Sequence, residues 1–201
     1  MKISDIADVS LGTILTRVKP SSQYDDTVEV SFISMQEVSY VSGGNIEDKP
    51  EVSATTSILS SKKGQCTYAE LNDILYGLTQ FRSVIVTKDS VGKLVPSNLA
   101  IIRVKSNEID PGYLMWTLNE GPCSKESISK MIQGSTVVKM VNISFLRELD
   151  LGKIPKLETQ KKISSLYQAL LHREKVEKEI TDKKTSLIID VLNQINKKGE
   201  S

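Results

Sequence analysis

The chain has 201 residues, of which 39% are hydrophobic and 25% are charged, and its 26 Lys and Arg nearly balance its 25 Asp and Glu. This composition is typical of one sizeable globular domain with room for a helical extension, and it excludes collagen-like, low-complexity and globally disordered chains. A net charge of +1 also excludes the simplest argument for nucleic-acid binding, which is a strongly basic chain.

The sequence predicts a protein of the reducing cytoplasm. Asp5 and Asp8 stand where a secretory signal would have an apolar segment, and apolar runs such as residues 99–102 are too short to span a membrane. The two cysteines, Cys66 and Cys123, form no CxxC motif and predict no disulfide framework. We therefore expect a cytoplasmic location and no membrane partner.

Charge is unevenly distributed along the chain. Residues 25–51 contain seven acidic side chains and one basic side chain, Lys49, whereas residues 62–139 contain ten basic and seven acidic side chains. We expect any surface that binds anions to come from the second of these two stretches.

The first part of the chain mixes short predicted strands with short predicted helices. Apolar or alternating runs predict strands over residues 28–34, 83–86 and 99–104. Strands scattered among helices, without regular alternation, predict an α+β fold. The expected architecture is one mixed α/β domain over residues 1–155, followed by a long coiled-coil-type helix over residues 156–201.

Two helices of the first domain have recognisable ends. Asp110 is a suitable N-cap and Pro111 suits the first helical turn that follows it. Ser124 predicts the start of the next helix, which should end at Gly134.

The last part of the chain has the pattern of one long amphipathic helix. No Gly or Pro occurs from Thr159 to Lys197, which allows 39 helical residues, or about 58 Å at ~1.5 Å per residue. Apolar residues recur three and four positions apart. Such a stripe either packs on the chain's own domain or binds an external partner, and we expect an external partner because the domain has its own core. The predicted partner-binding residues are Ile163, Leu166, Leu170, Ile180, Leu187, Val191 and Ile195.

The sequence contains no convincing catalytic or metal-binding set. His172 is the only histidine and lies in the charged middle of the predicted helix, far from Cys66 in the chain. Metal-ligand spacings, glycine-rich phosphate loops and methyltransferase motifs are all missing. We expect neither an enzyme nor a protein with its own metal or cofactor, and a Cys66–His172 nucleophile pair is the weakest alternative.

Three polar segments of the basic stretch carry side chains suited to DNA. Gln and Arg suit bidentate contacts with base edges, whereas Lys, Ser and Thr suit phosphates. Solvation of an ordinary surface loop also explains each segment. The candidate DNA-binding residues are Lys62, Lys63, Gln65, Thr79, Gln80, Arg82, Ser135, Thr136 and Lys139.

Several short segments occur in a fixed order along the chain, at residues 2–13, 72–76, 97–103, 110–114 and 133–136. They are followed by the series Ile154, Pro155, Leu157, Gln160 and Ile163 at the start of the predicted helix. Together, over nearly the whole chain, these segments resemble the specificity subunits of type I DNA restriction-modification systems. The last series is the most specific element, because it is similar to the junction between a target recognition domain and the family's conserved helix.

This resemblance implies a non-catalytic subunit that recognises double-stranded DNA. It also implies two partner proteins: a modification subunit that binds S-adenosylmethionine and methylates adenine, and an ATP-dependent restriction subunit that translocates and cuts DNA. Family members usually carry two recognition domains and two long helices that pair antiparallel, whereas this sequence has one of each. The resemblance therefore implies either a natural half-subunit or a fragment of a longer chain. In the first case, two copies would form a homodimer and read an inverted repeat with a spacer.

The sequence leaves two further questions open. The apolar blocks of the helix lie symmetrically about Glu179, which suits a parallel pair as well as an antiparallel pair. A coiled-coil adaptor that binds only proteins is the alternative function, and the acidic first third and the neutral total charge favour it.

Overall fold

The computed structural model describes residues 1–41, 54–133 and 140–199. The strands in these ranges are β1 Ala7–Leu11, β2 Thr27–Ser31, β3 Thr55–Leu59, β4 Ile74–Gly77, β5 Arg82–Ile85 and β6 Leu99–Val104. One antiparallel sheet has the strand order β1–β6–β4–β5, and β2 and β3 form a separate antiparallel pair.

Helices cover this sheet and extend beyond it. They are α1 Ile3–Ile6, α2 Met35–Val41, α3 Pro111–Glu120, α4 Pro122–Gln133, α5 Ile143–Glu148 and α6 Leu157–Gly199, with short 3-10 helices at Leu15–Arg17 and Ser60–Gln65. The predicted α+β fold with a long final helix is confirmed. Within the described ranges, no helix is both long enough and apolar enough to cross a membrane.

Strand β6 is buried on both faces of the sheet. Ala100 and Ile102 belong to the larger hydrophobic core, which lies under the helices, whereas Leu99 and Ile101 belong to a second core on the opposite face. A strand covered on both faces needs apolar side chains at successive positions rather than alternate ones. This explains why the apolar run at residues 99–104 predicts the strand correctly.

The other two predicted strands are present with shifted ends. Residues 28–34 overlap β2, which ends at Ser31. Beyond it, the amide of Phe32 donates to Ala54 and that of Ile33 donates to Leu94, so the chain changes pairing partners there. Residues 83–86 overlap β5, which begins one residue earlier at Arg82.

The predicted N-cap of α3 is confirmed, whereas the predicted start of α4 is wrong. Asp110 Oδ1 accepts a hydrogen bond of 2.9 Å from the amide of Tyr113. Helix α4 begins at Pro122 rather than Ser124, because proline is favoured in a first turn, where its missing N–H is not needed. Ser124 is fully buried instead of capping the helix, and the expected end at Gly134 lies outside the described residues.

Helix α6 is anchored to the domain by a buried glutamine. Gln160 is 1% exposed. Its Oε1 accepts from the amide of Asp110 at 3.0 Å, and its Nε2 donates to the carbonyl oxygens of Glu108 and Pro155, both at 2.9 Å. One side chain therefore joins the first turn of α6 to the start of α3 and to the segment that precedes each helix.

A close helix crossing extends this anchor. A Cβ added at Gly112 of α3 would clash with the hydroxyl group of Ser164 on α6. A larger residue there would have to displace the side chains of Ser164 and Gln168, so glycine favours this close packing. Farther along α6, Tyr167 is 6% exposed and Leu171 packs against the same core.

The expectation that the whole apolar stripe faces an external partner is therefore wrong for part of α6. Tyr167 and Leu171 face the chain's own domain, whereas Leu166 and Leu170 are 73% and 46% exposed. Apolar spacings of three and four residues are compatible with two neighbouring faces of one helix, and the pattern alone does not assign them. The helix has 43 residues rather than 39, or about 65 Å at ~1.5 Å per residue.

We predict that Gln160→Ala lowers the free energy of unfolding by about 1–3 kcal/mol, because it leaves buried backbone groups without partners. Gln168→Ala is the matched control, since Gln168 is exposed on the same helix and makes one 3.2 Å bond with Ser164. Urea denaturation of both variants checks this prediction. Equal unfolding midpoints for the two variants would contradict it.

Candidate nucleic-acid interface

The first candidate group lies on a 3-10 helix rather than in a loop. Lys62, Lys63 and Gln65 belong to the 3-10 helix Ser60–Gln65, which directly follows β3. Lys63 and Gln65 are exposed and Lys62 is half-buried. The hydroxyl group of Tyr68 donates to the carbonyl oxygen of Lys63 at 3.3 Å, so the end of this helix is held in place.

The second candidate group lies in and just after the tight turn between β4 and β5. Thr79 and Gln80 are exposed in this turn. The amide of Phe81 donates to the carbonyl oxygen of Gly77 at 3.0 Å and closes the turn. A Cβ at Gly77 would lie 3.0 Å from Gln80 Oε1, so the small residue makes room for the Gln80 side chain. We name residues 78–82 the recognition turn.

Arg82 is not a free cation. Its Nη1 lies 2.7 Å from Glu120 Oε1, and Lys125 Nζ lies 2.6 Å from Glu120 Oε2. Burial alone would raise the pKa of Glu120, but hydrogen bonds and charge from Lys125 and Arg82 lower it overall. The hydrogen bond with Glu120 raises the pKa of Arg82 in turn. At neutral pH this carboxylate is therefore ionised and competes with any DNA phosphate for Arg82.

The third candidate group lies outside the described residues. Ser135, Thr136 and Lys139 all fall within residues 134–139. The described chain resumes beside the recognition turn, where the amide of Val141 donates to the carbonyl oxygen of Leu78 at 2.8 Å. The contacts of the three predicted residues stay a prediction.

Most basic side chains of the basic stretch are neutralised within the domain. Arg103 binds Asp73 through Nε and Nη2, at 2.8 Å each, and Asp73 is 1% exposed. The other bases with carboxylate partners are Arg82, Lys93, Lys105, Lys125 and Lys130. Of the basic residues described between 62 and 133, Lys62, Lys63 and Lys88 have no carboxylate partner among the described residues. Lys62 and Lys63 are adjacent, which makes them the strongest candidates for phosphate contacts.

Of the two residues of the enzyme alternative, Cys66 directly follows the 3-10 helix Ser60–Gln65 and His172 lies on α6. The Cys66 thiol donates to the carbonyl oxygen of Lys62 at 3.5 Å, whereas His172 is exposed on α6. Across the described ranges, no group of three or more His, Cys, Asp or Glu side chains has the arrangement of a metal site.

The outer side of α6 carries the predicted partner-binding residues. Ile163 is half-buried, and the other six are exposed by 45% to 73%. We name these seven residues the outer stripe: Ile163, Leu166, Leu170, Ile180, Leu187, Val191 and Ile195. Exposed apolar residues aligned along one side of a helix are typical of an interaction surface.

Sequence reasoning missed the residues that support the recognition turn. Asn119 is 7% exposed, and its side-chain amide binds Ser83 next to Arg82. Glu120 is the ion-pair partner of Arg82. Each contact joins residues more than 30 positions apart, and no local spacing pattern points to it.

Comparison with known proteins supports the fold through structure rather than sequence. No protein-family model matches the sequence, and no curated protein matches it. The type I restriction-modification S subunit from M. genitalium matches with a TM-score of 0.55 at 11% identity, over 96% of this chain and 43% of that chain.

Two further solved structures are similar. A chain of a type I restriction-modification system, solved in work on complex assembly and conformational transition, matches with a TM-score of 0.56 at 12% identity, over 97% of this chain and 48% of that chain. The HsdS subunit from Thermoanaerobacter tengcongensis matches with a TM-score of 0.48 at 14% identity, over 90% of this chain and 39% of that chain. This chain therefore spans less than half of the length of each of the three. It has the fold of a type I restriction-modification specificity subunit.

Proposed function

We propose that this chain is a non-catalytic DNA-recognition subunit of a type I restriction-modification system. The observation that carries the proposal is the fold match over 96–97% of the chain to type I system structures. The neighbours Lys62 and Lys63, which have no carboxylate partner in the described part of the chain, and the exposed Gln80 support it. These side chains supply phosphate-binding and base-reading chemistry on one domain. Partner subunits would methylate adenine with S-adenosylmethionine and cut DNA with ATP.

We further propose that two copies pair through the outer stripe. A single recognition domain contacts one short stretch of DNA, and a two-fold dimer would present two such domains to an inverted repeat with a non-specific spacer. The α6 length of about 65 Å limits how far apart the two half-sites lie.

Charged residues in the middle of the outer stripe favour an antiparallel pair. Arg173, Glu177 and Lys184 continue its spacing of three and four residues between Leu170 and Leu187. In a parallel pair in register, each of these charged residues would face the identical residue of the other helix, and like charges repel each other. In an antiparallel pair centred on Glu179, Lys184 would face Glu174 of the other copy, since each lies five residues from the centre. The antiparallel pair therefore has two Lys184–Glu174 pairs of opposite charge, whereas the parallel pair has three pairs of like charge.

We predict that Lys62→Ala combined with Lys63→Ala weakens binding to every duplex by a similar factor and makes the dependence of binding on salt less steep. Each lost phosphate contact reduces the number of counterions that are released when the protein binds DNA. Phosphate contacts carry no sequence information, so the loss should be similar for every duplex. Fluorescence anisotropy with mixed-sequence duplex DNA at several salt concentrations measures both effects. Lys88→Ala is the matched control, a single basic residue that is likewise without a carboxylate partner in the described part of the chain.

The same titration tests the function itself. Wild-type protein should bind mixed duplex DNA with an affinity that falls steeply as salt rises. Binding that is absent, or that is insensitive to salt, would contradict DNA recognition and favour the protein-binding adaptor.

We predict that Gln80→Ala weakens binding to the specific target and leaves mixed-sequence binding unchanged. Loss of a bidentate base contact lowers the binding free energy by about 1–3 kcal/mol, and only on a duplex that has the correct base pair. Gln168→Ala, an exposed glutamine on α6 outside the candidate groups, is the comparison variant. Gel-shift titration on the site that is methylated in cells measures the effect, and equal losses on both kinds of duplex would show that Gln80 does not read bases.

We predict that Leu187→Glu converts the dimer to a monomer, because it places a charge in the apolar seam of the pair. Ile189→Glu is the control: Ile189 is 51% exposed and Leu187 is 64% exposed, but Ile189 lies about 200° further round the helix. Light scattering at micromolar concentration distinguishes the two states. A monomeric wild type, or the same result for both variants, would contradict the proposed dimer.

A further inference from the structure

A buried asparagine holds the strand that follows the recognition turn. Asn119 Oδ1 accepts from the amide of Ser83 at 2.8 Å and from its hydroxyl group at 2.9 Å, and Asn119 Nδ2 donates to the carbonyl oxygen of Ser83 at 2.9 Å. Ser83 is 1% exposed. The amide group of Asn119 thus pairs with the free edge of β5, as the backbone of another strand would.

Helix α6 completes the hydrogen bonding of this asparagine. The second hydrogen of Asn119 Nδ2 points to the hydroxyl oxygen of Tyr167, at 3.2 Å. An asparagine side chain has two donor hydrogens and two acceptor lone pairs, and here all four are used. The orientation of Asn119 therefore depends on a residue of α6 as well as on Ser83.

The recognition turn needs this support because its backbone is strained. Phe81 has a φ of 56°, in the left-handed region that is costly for a bulky side chain. A strained turn persists only where its surroundings hold it in place. Phe81 packs against the larger core, and the next two residues are held by the Arg82–Glu120 ion pair and the Ser83–Asn119 bonds.

We propose that Tyr167 is a positioning residue for DNA recognition. Its hydroxyl group, acting through Asn119 and Ser83, fixes the geometry of the recognition turn that carries Gln80. The dimerising helix and the recognition turn are then mechanically connected through three buried side chains. This inference rests on the proposed function, since it assigns to α6 a share in the selectivity of the same DNA site.

Tyr167→Phe tests the inference, because it removes the hydroxyl group and keeps the ring in the core. Tyr76→Phe is the matched control. Tyr76 pairs directly with Ser83 in the β4–β5 register and is fully buried, but its hydroxyl group has no hydrogen-bond partner among the described residues. Both variants are made in the full chain.

The first measurement is selection from a randomised duplex library, followed by titration of the duplex that wild-type protein selects and of a random duplex. We expect Tyr167→Phe to weaken binding to the selected duplex about 3- to 10-fold, the effect of one lost hydrogen bond. Binding to the random duplex should stay within about 2-fold, and Tyr76→Phe should change neither value. Equal losses on both duplexes, or the same loss in Tyr76→Phe, would overturn the inference.

The second measurement is hydrogen exchange without DNA, which separates failure of the inference from failure of the proposed function. Tyr167→Phe should speed exchange in peptides covering residues 78–84 more than in peptides from β1 and β6. If wild-type protein selects no sequence, the proposed function fails and the DNA role of Tyr167 fails with it. If wild-type protein selects a sequence but exchange over residues 78–84 is unchanged in Tyr167→Phe, only the positioning role is overturned.

Discussion

The seating of α6 on α3 is the constraint on which the rest of the structure depends. A buried glutamine amide is costly unless all its hydrogen bonds are made, so Gln160 sets where the helix begins. Gly112 then allows the two helices to approach closely. With position and rotation of the helix fixed in this way, Tyr167 faces the domain and Leu166 faces outwards. As far as Leu171, the outer stripe is exposed because the inner face of α6 already packs on the domain.

Ion pairs within the domain leave few cations of the basic stretch available for DNA under the proposed function. Most cations of the basic stretch are bound to carboxylates of the domain, such as Arg103 to Asp73. The net charge of the chain therefore does not indicate how many cations remain accessible on its surface. Arg82 is bound to Glu120 but stays accessible to solvent, because the two side chains are 49% and 32% exposed. Selectivity under the proposed function then comes from a few side chains held rigidly rather than from a broad basic patch.

Sequence patterns predict the local elements of this fold well. The doubly buried β6 follows from an apolar run, the start of α3 from the pair Asp110 and Pro111, and the continuity of α6 from a stretch without Gly or Pro. Each of these features depends on residues that are close in the chain.

Contacts between distant residues were not predictable in the same way. The inward orientation of Tyr167, the bond between Asn119 and Ser83 and the pairing of Arg82 with Glu120 all depend on how α3, β5 and α6 meet. An apolar spacing of three and four residues suits an inner and an outer helix face equally. Gln160 is the partial exception, since it belongs to the junction that resembles type I specificity subunits, although its buried hydrogen bonds appear only in the structure.

The most direct test of DNA recognition is a methylome comparison of cells that carry the intact system with cells that lack this chain alone. Single-molecule sequencing detects methylated adenine together with its sequence context. The proposed function predicts methylation at an inverted repeat with a fixed spacer, and its complete loss when the chain is removed. A methylation pattern that is unchanged by loss of the chain would contradict DNA recognition, and a site without inverted symmetry would contradict the homodimer.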